Sequence, residues 1–313
     1  MRVRQVPGPR ASLRTATALA LAGTIGTSAC RDVLAPYPLP AGAARFAPPP
    51  VYARWWALVE ACSGRAGDYG AWSWYTVPRG ALKASGLGNA AAYADPVARR
   101  IVVTAGQESD GGVVRHEILH AVLGLARATG GDARQHPPSY FQDRCAGVVY
   151  CPQDGCVDAG PPPAAAPPDA PTLPLASLDV RVDALPARVS RTGATWADRE
   201  LTLVVRATNP TARAVWVPLE VVADRPAWAP TPWVPRFGFR IVPAGQPLPP
   251  IDFARFDSTG AVFGDTARRV AFAAGQTRYL VADRSGGLYA AGDYAAVGVF
   301  NTRQTWTPLA VEP

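Results

Sequence analysis

Residues 109–128 impose the strongest constraint on how this chain can fold. Ser109-Asp110 offers a helix N-cap, and the largely apolar run that follows stops at Gly130-Gly131. Val113, Val114, Ile118, Leu119, Val122, Leu123 and Leu125 fall on most sides of such a helix, which therefore belongs in the middle of a domain. The same helix carries His116, Glu117 and His120. Burying two imidazoles and a carboxylate without partners is costly. The fold must supply something beside them that compensates.

A divalent cation is such a partner. Residues four apart on an α-helix differ by about 40° and about 6 Å of rise, so His116 and His120 project from one face toward one ion. Glu117 lies about 100° from His116, within reach of a water on that ion without being a ligand. The chemistry needs these residue types. Neutral imidazoles bind Zn²⁺, the metal lowers the pKa of its water, and a carboxylate takes the proton as that water attacks a carbonyl. Gly124, one turn further along, is expected to leave room on the same face.

The pentapeptide His116-Glu117-Ile118-Leu119-His120, in a helix preceded by a strand and a loop, resembles the HExxH motif of the zincin metallopeptidases. The resemblance implies a small α+β catalytic domain, a zinc cofactor, a peptide or protein substrate and Glu117 as general base. It also implies an edge strand, residues 101–104 or a neighbour, that aligns substrate backbone by β-augmentation. Zincin sites need a third protein ligand. The arrangement with Gly and His seven and ten positions after the first His is missing, since Leu123 and Ala126 stand there, and no Glu occurs between Glu117 and Glu200.

His136 is the remaining histidine, with Asp132 and then Asp143 as rivals. The helix beyond His120 runs about 13 Å to residue 129. Seven further residues can return about 23 Å, so residue 136 can reach the site. All three histidines of the chain fall within 21 consecutive residues, whereas structural histidines would scatter. Tyr140 is a candidate for hydrogen bonding a developing oxyanion, or else a packing aromatic beside Phe141. Trp72 and Trp74, at alternate positions, face one side of a strand.

Residues 1–29 carry four arginines and no acid, then an apolar stretch, then Thr27-Ser28-Ala29 before Cys30. That is the layout of a secretory signal. A cysteine directly after small residues resembles the lipobox of bacterial lipoproteins, which implies a lipid on Cys30 and attachment to the membrane in the cell envelope; plain secretion is the other reading. Without the leader, the formal charge of +7 falls to +3, 27 basic against 24 acidic groups. That is too little to argue for phosphate binding, so no nucleic-acid partner is expected. Export suits an even set of cysteines, Cys62, Cys145, Cys151 and Cys156. One long staple, Cys62–Cys145, and one local loop, Cys151–Cys156, are expected; a thiolate metal site is the rival, although no spacing is C-x2-C.

The organisation that follows is a tether at residues 30–50, a zincin-like domain at 51–157, a linker at 158–175 and a β domain at 176–313. Six prolines in residues 31–50 suggest the tether, and seven in 158–174 the linker. The first domain should hold a helix at 51–62, a strand at 71–77 and a hairpin from 90–94 and 99–104. In the second, eight short β-rich runs suggest an antiparallel sandwich. Residues 201–206 (LTLVVR) and 292–299 (GDYAAVGV) resemble strands of bacterial Ig-like domains. A second function is therefore open: a non-catalytic surface lipoprotein whose Ig-like domain binds a protein or envelope partner, with a structural or vestigial metal site.

Overall fold

The structure is a computed structural model that describes residues 36–84, 90–125, 136–149, 164–220, 237–251, 257–259 and 268–313. The leader, Cys30, Asp132 and the expected Cys151–Cys156 pair lie outside these residues. Among the described residues most elements are strands, and helices are few.

Helix α1, Pro50–Ser63, starts with proline at its first turn, where no backbone donor is lost. It buries Val51, Tyr52, Trp55, Trp56, Leu58, Val59 and Cys62. Against it stands a four-stranded sheet of β1 (Ala44–Phe46), β2 (Ser73–Val77), β3 (Ala92–Asp95) and β4 (Arg100–Thr104), in the order β1-β2-β4-β3. A short helix, α2 (Ala81–Ala84), follows β2. The expected hairpin is β3 antiparallel to β4, while β2 and β4 run parallel. Strand β1 lies inside the segment read as a tether: Ala44, Arg45 and Phe46 pair with Thr76, Tyr75 and Trp74. Strand β4 is interior, so the open edge beside the next helix belongs to β3.

That helix is α3, Gly111–Leu123. The Asp110 side chain caps it by accepting from the Val113 amide at 3.1 Å. It ends at Gly124, earlier than the Gly130-Gly131 stop, because Gly124 adopts the left-handed conformation with φ 64°. A Cβ at Gly124 would meet nothing within 4 Å, so this glycine serves the turn and not the room of the site. Helix α3 is buried on most sides, as its sequence demands.

The C-terminal half contains β5 (Asp179–Leu185), β6 (Arg188–Ser190), β7 (Glu200–Thr208), β8 (Val215–Pro218), β9 (Phe237–Pro243), β10 (Asp257–Thr259), β11 (Arg269–Phe272), β12 (Thr277–Ser285), β13 (Gly292–Phe300) and β14 (Arg303–Glu312). Three sheets result, ordered β12-β7-β5, β10-β9-β13-β14-β6 and β11-β8. All pairings are antiparallel except β14 with β6. Val182, Leu203 and Val205 from one layer and Phe237, Phe300 and Leu309 from another share a single core.

The two halves touch directly. Val204 joins the N-terminal core, and Leu185, Trp196, Tyr279 and Val281 pack around it. Trp55 donates to the Thr202 hydroxyl at 3.0 Å across the junction. Residues 164–174, expected to belong to a stiff linker between the halves, lie against the C-terminal half: Trp216 accepts at its carbonyl from Leu173 and donates through its amide to Pro171. Its indole donates to the Pro167 carbonyl at 2.8 Å. A proline-rich stretch is stiff but still offers carbonyl acceptors, and Trp216 uses them.

Candidate metal centre

Helix α3 places the His116 and His120 rings on one face, with centroids 5.0 Å apart. His136 arrives from a separate segment, just before a π-helical turn at Ser139–Arg144. The three Nε2 atoms stand 3.0 Å (His116–His136), 3.2 Å (His116–His120) and 3.2 Å (His120–His136) from one another. His120 and His136 are buried and His116 is partly so.

This triangle has a chemical consequence. Each ring nitrogen either carries a hydrogen or presents a lone pair. Among three mutually adjacent nitrogens, two must be of the same kind, so at least one of the three close pairs is always mismatched. A cation accepting all three lone pairs removes the mismatch. Tetrahedral coordination at 2.0–2.1 Å requires nitrogens about 3.3–3.4 Å apart, close to the spacing found. The donor set fits a metal ion; three imidazoles suit zinc and other borderline ions alike.

The electrostatics agree. Burial, and then the neighbouring His116 and His136 rings, hold His120 well below the usual imidazole range, which keeps it neutral and able to donate its lone pair. Burial pushes the Glu117 carboxyl up to about 8, against the opposing pull of a hydrogen bond from the Ala94 amide. A divalent ion nearby favours the carboxylate and reverses that shift.

The Ala94 amide is available because of strand register. Thr104 donates to the Ala91 carbonyl, so alternation along the antiparallel pair turns Ala91, Tyr93 and Asp95 toward β4 and turns Ala92 and Ala94 outward. The open edge of β3 thus presents backbone groups beside the carboxylate of α3.

Phe141 forms the floor of the site. Its ring centroid lies 5.0 Å from His116, 5.0 Å from His120 and 4.8 Å from His136, and it is 1% exposed. In the sequence Phe141 stands out only as the neighbour of Tyr140, five residues after His136. The Tyr140 hydroxyl accepts a hydrogen bond from Arg65 at 3.2 Å, and its ring lies 5.7 Å below the Arg144 guanidinium. Asp143 is turned away toward the C-terminal half, where its carboxylate accepts from Arg278 at 2.7 Å. Trp74 is a core residue at 1% exposure, and Trp72 packs beside Trp56.

The expected Cys62–Cys145 disulfide is present, with the Cα atoms 5.2 Å apart. It fastens the segment carrying His136 to α1. Arg115, unremarked in the sequence, donates to the Val148 carbonyl at 2.6 Å and to both carboxylate oxygens of Asp283 at 2.9 Å. The clue was a lone arginine within an apolar helix. No protein-family model matches the chain, and no curated protein shows significant similarity to it.

Proposed function

We propose that this protein is a zinc-dependent peptidase of zincin type, exported to the cell envelope and anchored there through Cys30. The observation that carries the reading is the convergence of three Nε2 atoms within 3.2 Å of one another, with Glu117 next in sequence to one of them. His116, His120 and His136 would hold the zinc ion, which when bound would supply Lewis acidity and lower the pKa of a water. Glu117 accepts the proton of the attacking water and later returns it to the leaving amine. The Ala94 amide fixes the orientation of that carboxylate. The outward backbone groups of Ala92 and the outward carbonyl of Ala94 receive an extended peptide as an added strand, which lays its carbonyl next to the triad. Tyr140, steadied by Arg65, is the hydroxyl offered to the developing oxyanion. The C-terminal β layers are read as an Ig-like domain.

The test is digestion of a peptide library by zinc-loaded protein with and without a chelator. Cleavage should occur and should stop on chelation. Glu117→Gln should keep its metal and lose turnover, whereas His120→Ala should lose both. Wild-type protein that carries no metal when prepared without chelator refutes the proposal.

A second reading draws on the other half. A cleft of about 740 Å³ lies on the C-terminal sheet, lined among others by Arg188, Gln246, Leu248, Asp293, Tyr294 and Trp306. Trp306 is 55% exposed there, as in surfaces that bind a partner. A zinc-loaded protein that leaves the whole library uncut favours this non-catalytic reading.

A further inference from the structure

Two of the three imidazoles are fixed by one helix, but the third depends on whatever holds residues 136–149 in place. The Cys62–Cys145 disulfide is one restraint, and it comes from the N-terminal half. Arg65 and Arg115 of the same half add hydrogen bonds to Tyr140 and Val148, and a strand of the C-terminal half, β12, supplies a further set.

Near the start of β12, Arg278 is 1% exposed and binds the Asp143 carboxylate at 2.7 Å. The same guanidinium donates to the Ala271 carbonyl at 3.1 and 2.7 Å, which fixes it from the sandwiching side. In the middle of the strand, the Val281 amide donates to the Gly147 carbonyl at 2.7 Å. Gly147 approaches so closely that a Cβ there would collide with the Tyr279 carbonyl. Near the end of the strand, Asp283 takes both terminal nitrogens of Arg115. Arg115 directly precedes His116, and its remaining nitrogen reaches the Val148 carbonyl. Thr202 of β7 donates to Asp283 at 3.3 Å and holds the carboxylate in register.

One strand therefore grips both arms of the triad: the helix arm through Arg115 and the loop arm through Asp143 and Gly147. We propose that β12 is a working part of the metal centre, with Arg278, Asp283 and their partners Asp143 and Arg115 acting as positioning residues that set where the His136 imidazole stands. This rests on the metal reading of the triad. Charge-assisted hydrogen bonds from a buried guanidinium to a partly buried carboxylate are short and directional, so losing one frees the segment to shift. An error of a few tenths of an ångström in one ligand is enough to weaken coordination.

The experiment measures zinc affinity of the full chain by competition with a chromophoric chelator, and the visible absorption of the cobalt(II) form, whose intensity reports coordination number. Asp143→Ala should weaken zinc binding tenfold or more and alter the cobalt spectrum. In a His136→Ala background the same change should have no further effect, because the residue acts through that imidazole. Asp283→Asn, which keeps its shape, should weaken zinc in the same direction and carries the test if Asp143→Ala does not fold. Wild-type affinity and spectrum in a folded variant overturn the proposal, as does an equal loss in the His136→Ala background. A wild-type protein without any cobalt absorption band overturns the metal reading itself, and this proposal with it.

Discussion

Replacing both cysteines of the staple, Cys62→Ala with Cys145→Ala, opens a loop of 83 residues. In the chain-entropy treatment, closing that loop removes about 15 cal/mol/K from the unfolded ensemble, or about 4.5 kcal/mol at 25 °C. The two sulfurs are buried, Cys145 fully and Cys62 nearly so, and their removal adds on the order of 1 kcal/mol of lost packing. The expected loss is thus about 5 kcal/mol, a large part of the stability of an ordinary domain. Equilibrium unfolding in urea or guanidinium, extrapolated to water, measures it. Chelator must be present throughout, since bound metal adds its own stabilisation by mass action. The slope with denaturant should rise in the double variant, because an uncrosslinked chain exposes more surface. A loss below about 1 kcal/mol with an unchanged slope refutes the reasoning, for it means that the unfolded ensemble holds residues 62 and 145 together without the bond.

Three further outcomes are expected. Phe141→Ala removes the ring beneath all three imidazoles and should cost about 3–5 kcal/mol; it should also weaken zinc binding, while Phe141→Leu retains most of both. Gly124→Ala forces an L side chain into the left-handed region at φ 64° and should cost about 1 kcal/mol, lowering the melting temperature by about 2–4 °C without changing metal content. Burial, helped by Asp283 and opposed by Arg115 and Arg54, raises the Glu200 carboxyl from 4.5 to about 8. The folded state therefore holds an extra proton between those values, and stability falls as pH rises through that window, by up to about 1.4 kcal/mol per unit. Glu200→Gln should lose this part of the slope, Glu117 contributing another in metal-free protein; parallel stability curves for variant and wild type from pH 5 to 8 would show the Glu200 carboxyl to be unperturbed.

Much of the N-terminal half was legible because its signals are local. The apolar stripe of residues 51–62, the β-branched run of β4 and the Asp110 cap each act within a few residues, and the histidine spacing acts within one helical turn. The pairing of Cys62 with Cys145 and the return of His136 were also within reach, since few candidates existed. What stayed hidden is long-range. Nothing near Ala44 announces that it pairs with Thr76, and a proline-rich neighbourhood suggests the opposite. Strands β6 and β10, three residues each, are too short to show a period. The union of the halves rests on pairs such as Arg115 with Asp283, separated by 168 residues, and no local pattern reveals such a partner.

The hold of β12 on both arms of the triad also bears on the order in which the molecule is made. Synthesis runs from the N-terminus, so the last histidine leaves the ribosome 147 residues ahead of Asp283. During that interval the nascent chain has its imidazoles but not the strand that aligns them. On the proposed metal reading, the three imidazoles would reach their final arrangement only after β12 has been made, and firm capture of an ion before then would be disfavoured.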